Sequence, residues 1–196
     1  MIPKAWQVLK STVLVDRRPW IYLNEQDVVL PNGIRIEGYL TWEEREYALV
    51  VALTKDGIPL VQQYKHGLQS SSLDLPGGYL NANEKPLAAA QRELLEETGL
   101  AADDWIHLAS LVLDNNRGPA QTHIFLARDA RVMGPPCPDE KEDLAISFYT
   151  WVQLQNMVDK GQINSLPTVA ALLMALQQLD GAQERSLWRS SHDPSF

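Results

Sequence analysis

Cysteine is nearly absent: Cys137 is the only one among 196 residues. An intramolecular disulfide is therefore excluded, and a reducing compartment is expected. No run of about 18 apolar residues occurs, so no membrane-spanning helix and no membrane partner are expected. The opening MIPKAWQVLKS lacks the apolar core of a secretory leader, which makes a cytoplasmic location the expectation. Positive charge is scarce as well. Lys and Arg number 17 against 25 Asp and Glu, a net charge of −8. That balance argues against a surface that coats nucleic acid or adsorbs to anionic lipid. If the ligand is itself an anion, a cation must offset the repulsion locally, and a bound metal is the natural source. Internal repeats are lacking too.

What the chain does have is ordinary globular material, 45% hydrophobic and 21% charged, enough for a sizeable core. WQVLKSTVLV (6–15), WIYLN (20–24) and DVVL (27–30) are short and rich in β-branched or aromatic residues, as strands are. LPNG (30–33) signals a turn into IRIEGYLTW. Residues 1–42 thus predict a small antiparallel layer. YALVVAL (47–53) is a continuous apolar run suited to a buried central strand, and IPLVQQY, HLASLVL, THIFLAR and ISFYTW predict four more. Pro86 fits the first turn of a helix and Gly99 its left-handed stop, so a helix is predicted over 86–98. Two further helices are predicted, a short one ending at Gly161 and one over 166–179. RVMGPPCPDEKED (131–143) reads as a loop, and the polar residues 181–196 as a tail. Strands and helices without regular βαβ alternation give an α+β class.

The predicted helix 86–98 poses a problem. Glu93 and Glu97 lie on one face, about 40° apart, with Glu96 beside them. Like charges at this spacing repel, and they oppose the negative end of the helix dipole. The reading takes Leu87, Ala88, Ala90 and Leu94 as the inward face. A Glu-rich helix is by default a solvated one. A hard divalent cation would remove both costs, since carboxylate oxygens are the ligands Mg²⁺ or Mn²⁺ prefers. The adjacent glycines Gly77 and Gly78 let backbone atoms approach a ligand closely. Glu84 is placed to pair with Arg92 and fasten the loop to the helix.

Gly78 to Leu100 resembles the Nudix box, G-x5-E-x7-R-E-U-x-E-E-x-G-U with U aliphatic. Gly78, Glu84, Arg92, Glu93, Leu94, Glu96, Glu97, Gly99 and Leu100 fill every defined position. At average residue frequencies a chance match has a probability of roughly 10⁻⁷, which removes the default reading. The resemblance implies an α/β/α sandwich with a mixed sheet, and Mg²⁺-dependent (or Mn²⁺-dependent) hydrolysis of a nucleoside diphosphate linked to another group. It implies Glu93 and Glu97 as main metal ligands, Glu96 as a further ligand or water contact, and the Gly77 carbonyl as a backbone ligand. Gly78, Glu84, Arg92 and Gly99 are its structural members.

The order LPNG, YALVVALTKDG, PLVQQYKHG, LDLPGG resembles ADP-ribose pyrophosphatase-like members of the family. These carry an N-terminal antiparallel layer that pairs two subunits and helps enclose the base. The resemblance divides the chain into a layer (1–42), a hydrolase domain (43–180) and a tail (181–196), and implies a homodimer. Trp20, Tyr39 and Trp42 are then the base-stacking candidates, each with core packing as the competing reading. Lys65 and Arg117 are the phosphate or ribose candidates. The general base is expected on the late loop, Glu142 first and Glu140 second. One departure stands out: those members usually have a proline about sixteen residues after the last box glycine, where this chain has Asn115. GDP-mannose, another nucleoside diphosphate sugar or NADH are therefore alternative substrates. A nucleoside triphosphate hydrolase is disfavoured by the long N-terminal layer, and a nucleotide-sensing regulator by the intact glutamates.

Overall fold

The structure, a computed structural model, describes residues 4–138 and 143–179. Two compact units emerge, Met1–Glu46 with Val112–Gln121 and Tyr47–Leu111 with Thr122–Phe196. In the first, β1 (Gln7–Arg17), β2 (Ile21–Val29) and β3 (Arg35–Glu43) form an antiparallel sheet in that order. The two short runs predicted at 20–24 and 27–30 are one strand. It survives the polar residues between them because a register shift next to Asp27 absorbs the irregularity, and the Asp27 carboxylate accepts from Gly38 N–H at 3.1 Å. The loop 112–121 joins this unit because β3 holds it by the backbone. Trp42 N–H donates to the Arg117 carbonyl at 2.9 Å, and Tyr39 Oη–H to the Asn116 carbonyl at 2.5 Å.

The second unit is built on β4 (Tyr47–Ala52), whose residues after Tyr47 are all buried. Strand β4 pairs in parallel with β10 (Gln121–Arg128) and antiparallel with β7 (Gly77–Tyr79), and β9 (Asp104–Val112) completes this mixed sheet. Its alternate side chains feed two cores. Ala48, Val50, Ala52 and Phe125 pack with Ala89, Ala90 and Leu94 of α1 (Pro86–Thr98). Leu49, Val51, Ile124 and Leu126 pack with Leu154 of α2 (Trp151–Asp159) and Ala171, Leu172 and Ala175 of α3 (Leu166–Gln178). A strand buried on both faces needs unbroken apolar sequence, and that is what YALVVA supplies. A second sheet runs β12 (Leu144–Tyr149), β5 (Ile58–Lys65), β6 (Ser70–Asp74), and the two-residue strands β8 (Leu100–Ala101) and β11 (Arg131–Val132) pair with each other. The architecture is α+β with helices on both sides of a mixed sheet. No helix among the described residues is long and apolar enough to cross a membrane.

Candidate active site

Strand β7 and helix α1 meet where two residues lack side chains. Register pairs Gly77 with Leu49 and Gly78 with Ala48, placing both glycines against the central strand. A Cβ on Gly78 would lie 2.0 Å from Glu93 Oε1, so the Glu93 carboxylate occupies the space a side chain would take. Gly77 N–H donates to Glu97 Oε2 at 2.9 Å. Glu93 and Glu97 are 8% and 5% exposed, which is unusual for carboxylates on a helix. The inward stripe of α1 is thus Ala89, Ala90, Glu93, Leu94, Glu97 and Thr98, while Leu87 and Ala88 face outward. The expected inward roles of Leu87 and Ala88 are corrected by this geometry. The cause is the glycine pair, which opens a polar seat on the buried face.

Arg92 organises the remaining carboxylates. Its Nε and Nη2 bond the two Glu84 oxygens at 2.9 Å each, and Nη2 also donates to the Tyr79 carbonyl at 3.2 Å. Its Nη1 donates to Glu93 Oε1 at 2.6 Å and Glu96 Oε2 at 3.0 Å. Glu84 Oε2 further accepts from Asn81 N–H at 2.8 Å, so the loop 80–85 is tied through Arg92 to the helix. The pairing with Glu84, then with Glu93 and Glu96, raises the guanidinium pKa above its already high value although partial burial opposes it. This fork geometry suits arginine, not lysine.

Gly99 closes α1 with φ at +70°, and its N–H donates to the Leu95 carbonyl at 2.8 Å. Beyond it the Glu96 carbonyl accepts from Cys137 N–H at 2.8 Å, anchoring the helix end to the loop that carries the general-base candidates in sequence. Those candidates, Glu140 and Glu142, lie outside the described residues.

One participant is not signalled by the box. The Tyr47 hydroxyl donates a short hydrogen bond to the Gly77 carbonyl. Burial, followed by the charges of Glu97, Glu93 and Asp74, holds its phenol pKa well above the usual value, so it is a protonated donor at neutral pH. Its ring meets Tyr79 edge-on at 5.3 Å. The signal in the sequence is slight: a hydroxyl-bearing aromatic opening an otherwise apolar strand.

The substrate candidates fall in separate places. Tyr39, Trp42 and Arg117 come together within the first unit: Arg117 lies 4.9 Å over the Tyr39 ring and donates to the Leu40 carbonyl at 3.0 Å. Trp6 meets Tyr39 edge-on at 5.7 Å. Trp20, 66% exposed, lies in the β1–β2 turn of the same unit with Arg45 at 5.4 Å from its ring. Lys65 ends β5 in the second unit and bonds Gln63 Oε1 at 2.5 Å.

The donor set fits a hard cation: two buried carboxylates, a third half-exposed one and a backbone carbonyl, all oxygen. No group of three Asp, Glu, His or Cys side chains among the described residues converges into a ready-made cage. Arg92 Nη1 takes the place between Glu93 and Glu96. Mg²⁺ does not need such a cage, since it usually takes one or two protein carboxylates and keeps water and phosphate as its other ligands.

Residues 44–172 match the NUDIX domain model. The ADP-ribose pyrophosphatase of Mycobacterium tuberculosis is 31% identical over 84% of this chain and 81% of its own length. The ADP compounds hydrolase NudE of Escherichia coli is 26% identical over 88% and 95%. A crystal structure of an ADP compounds hydrolase superposes with a TM-score of 0.80 at 23% identity, covering 94% of this chain and 99% of that one, and it supports the fold.

Proposed function

Because the chain belongs to the NUDIX family, we propose that it is a divalent-metal-dependent pyrophosphohydrolase cleaving ADP-ribose or a related nucleoside diphosphate sugar. The observation that carries this reading is the buried carboxylate pair Glu93 and Glu97 lodged against Gly78 and Gly77. Burying two carboxylates on one helix face is costly unless their charge is offset, and the helix has one guanidinium for three carboxylates. Glu93, Glu97 and the Gly77 carbonyl are the proposed Mg²⁺ ligands, with Glu96 a further ligand or water contact. Bound there, Mg²⁺ or Mn²⁺ would neutralise the diphosphate and lower the pKa of water. The chain's own part is positional. Arg92 fixes the rotamers of Glu93 and Glu96 from one guanidinium, and Gly78 leaves room for the first of them. Glu142, or failing that Glu140, is proposed to take the proton of the attacking water. Addition of water across P–O–P yields a nucleoside monophosphate and a sugar phosphate.

The activities for which the mycobacterial and E. coli relatives are named favour ADP-linked substrates. Trp20, Tyr39 and Trp42 are proposed for base recognition and Lys65 and Arg117 for phosphate or ribose. A cytoplasmic homodimer is proposed, paired through the N-terminal sheet, with neither nucleic acid nor membrane as partner.

The test is a substrate panel with Mg²⁺: ADP-ribose, ADP-sugars, GDP-mannose, NADH and nucleoside triphosphates. ADP-ribose is expected to yield AMP and ribose 5-phosphate, and none without the metal. Glu97→Gln should lower kcat/KM by about 10²–10³, or roughly 3–4 kcal/mol of transition-state stabilisation. Survival of every diphosphate-linked compound while triphosphates are consumed would refute the substrate class.

A further inference from the structure

A glycine that carries a ligand carbonyl has a difficulty of its own: with no side chain it cannot be held by packing, and its backbone is the most permissive of any residue. In this protein successive groups on the approach to Gly77 are restrained from outside. Leu75 N–H donates to Thr168 Oγ1 at 3.4 Å. The Pro76 carbonyl accepts from Val50 N–H at 2.9 Å. Gly77 N–H donates to Glu97 Oε2, and the Gly77 carbonyl accepts from Tyr47. The Val50 bond is ordinary backbone pairing and the Glu97 bond comes from the site itself. The other two come from hydroxyl side chains that the box does not contain.

Thr168 sits in the first turn of α3, on the opposite side of the sheet from α1, and is 1% exposed. Its hydroxyl both donates and accepts. It donates to Asp74 Oδ1 at 3.0 Å while accepting from Leu75 N–H. The other Asp74 oxygen accepts from Ser72 Oγ at 2.6 Å. The end of β6 is therefore fastened to α3 two residues before Pro76. Tyr47 acts at the other end of the turn, directly on the carbonyl oxygen. That oxygen has two lone pairs, so a phenol on one leaves the other for a cation.

We propose that Tyr47 and Thr168 are positioning residues for the metal-binding carbonyl of Gly77: two buried hydroxyls that preset the Pro76–Gly77 turn from opposite ends. The proposal rests on the metal reading of the preceding section. Outer-shell partners of metal ligands are typically worth 10–100-fold in metal affinity or activity. A hydroxyl that served only the core would change stability and leave metal affinity alone.

The experiment measures Mn²⁺ binding to the purified full-length protein by the loss of the free-ion EPR signal, with melting temperature recorded alongside. The variants are Tyr47→Phe, Thr168→Val, Thr168→Ser and Glu97→Gln. Tyr47→Phe and Thr168→Val should each raise the Mn²⁺ dissociation constant roughly 10-fold or more. Thr168→Ser, which keeps the hydroxyl, should stay near the wild type. The half-activating Mg²⁺ concentration should move in parallel, with KM for the diphosphate substrate at saturating Mg²⁺ unchanged. Should Tyr47→Phe fail to fold, the Val and Ser variants at 168 still decide the matter. Lower melting temperatures with wild-type Mn²⁺ affinity overturn the brace alone, as does tighter binding by Tyr47→Phe, which would make the phenol a competitor. A wild type whose Mn²⁺ binding is absent or unaffected by Glu97→Gln overturns the metal reading, and the brace with it.

Discussion

Gly77 and Gly78 are neighbours, yet an added methyl group would do different damage at each. At Gly77 the Cβ would lie 2.3 Å from the Ala48 carbonyl oxygen, a backbone atom that cannot yield without parting β7 from β4. At Gly78 it would meet the end of the Glu93 side chain, which can swing away. Gly77→Ala should therefore cost stability, about 1–3 kcal/mol or more, seen as a lower denaturation midpoint. Gly78→Ala should keep most of its stability while losing 10-fold or more in activity, because Glu93 is turned out of its seat. Equal loss of stability in both would count against Glu93 filling that space. The sequence made the acidic triplet and the glycine pair legible, since both are local and their spacing is fixed by 3.6 residues per turn. It did not reveal which way the carboxylates face. A helical repeat places Glu93 and Glu97 together but is silent on whether that face meets solvent or a gap in a strand two residues wide.

The α1 element inherits its register from its ends. Pro86 opens it, and Gly99 closes it in the left-handed region, where a Cβ would lie 2.2 Å from the Gly134 carbonyl oxygen. The Gly99 carbonyl in turn accepts from Met133 N–H at 2.8 Å. Replacing Gly99 by Ala should cost about 1–2 kcal/mol for the backbone conformation alone. For a chain of this size that is roughly 2–8 °C in Tm, read by calorimetry. Because Glu96 and Glu97 lie in the last turn, activity should fall further than the population unfolded at the assay temperature explains. Both ends of this helix were readable from Pro86 and Gly99, whose conformational preferences are intrinsic. The strands divide differently. Long runs such as 47–53 and 122–128 announce themselves by β-branched and apolar content, whereas β6, β7, β8 and β11 have five residues or fewer. Ser70–Asp74 is serine-rich and Gly77–Tyr79 opens on two glycines, so neither carries a strand's composition. They are strands because partners across the sheet supply their hydrogen bonds, and pairing at that sequence distance leaves no local mark.

At the scale of the whole molecule the strongest unspent feature is the edge of the N-terminal sheet. All eleven residues of β1 are exposed, and Trp6, Val8, Leu9, Val13, Leu14 and Val15 beside or within it are between 38% and 50% exposed. A long apolar edge strand is a liability that proteins cover or blunt, and here only Lys10 and Arg17 interrupt it with positive charge. Its register shifts at Val8/Lys10 and Val13/Val15 twist the strand and leave its apolar residues uncovered. Covering it with a second copy is the arrangement proposed above. A net charge of −8 opposes self-association at long range, so the pairing has to come from short-range apolar burial. Light scattering after size exclusion should therefore give a dimer mass that survives a rise from low to high salt, since screening weakens the repulsion and leaves apolar contact intact. Val13→Lys with Leu14→Glu should yield monomers at micromolar concentration with the acidic helix undisturbed, read as retained Mn²⁺ binding. A wild type that is monomeric at the same concentration and at every salt level would leave β1 uncovered and the dimer reading refuted.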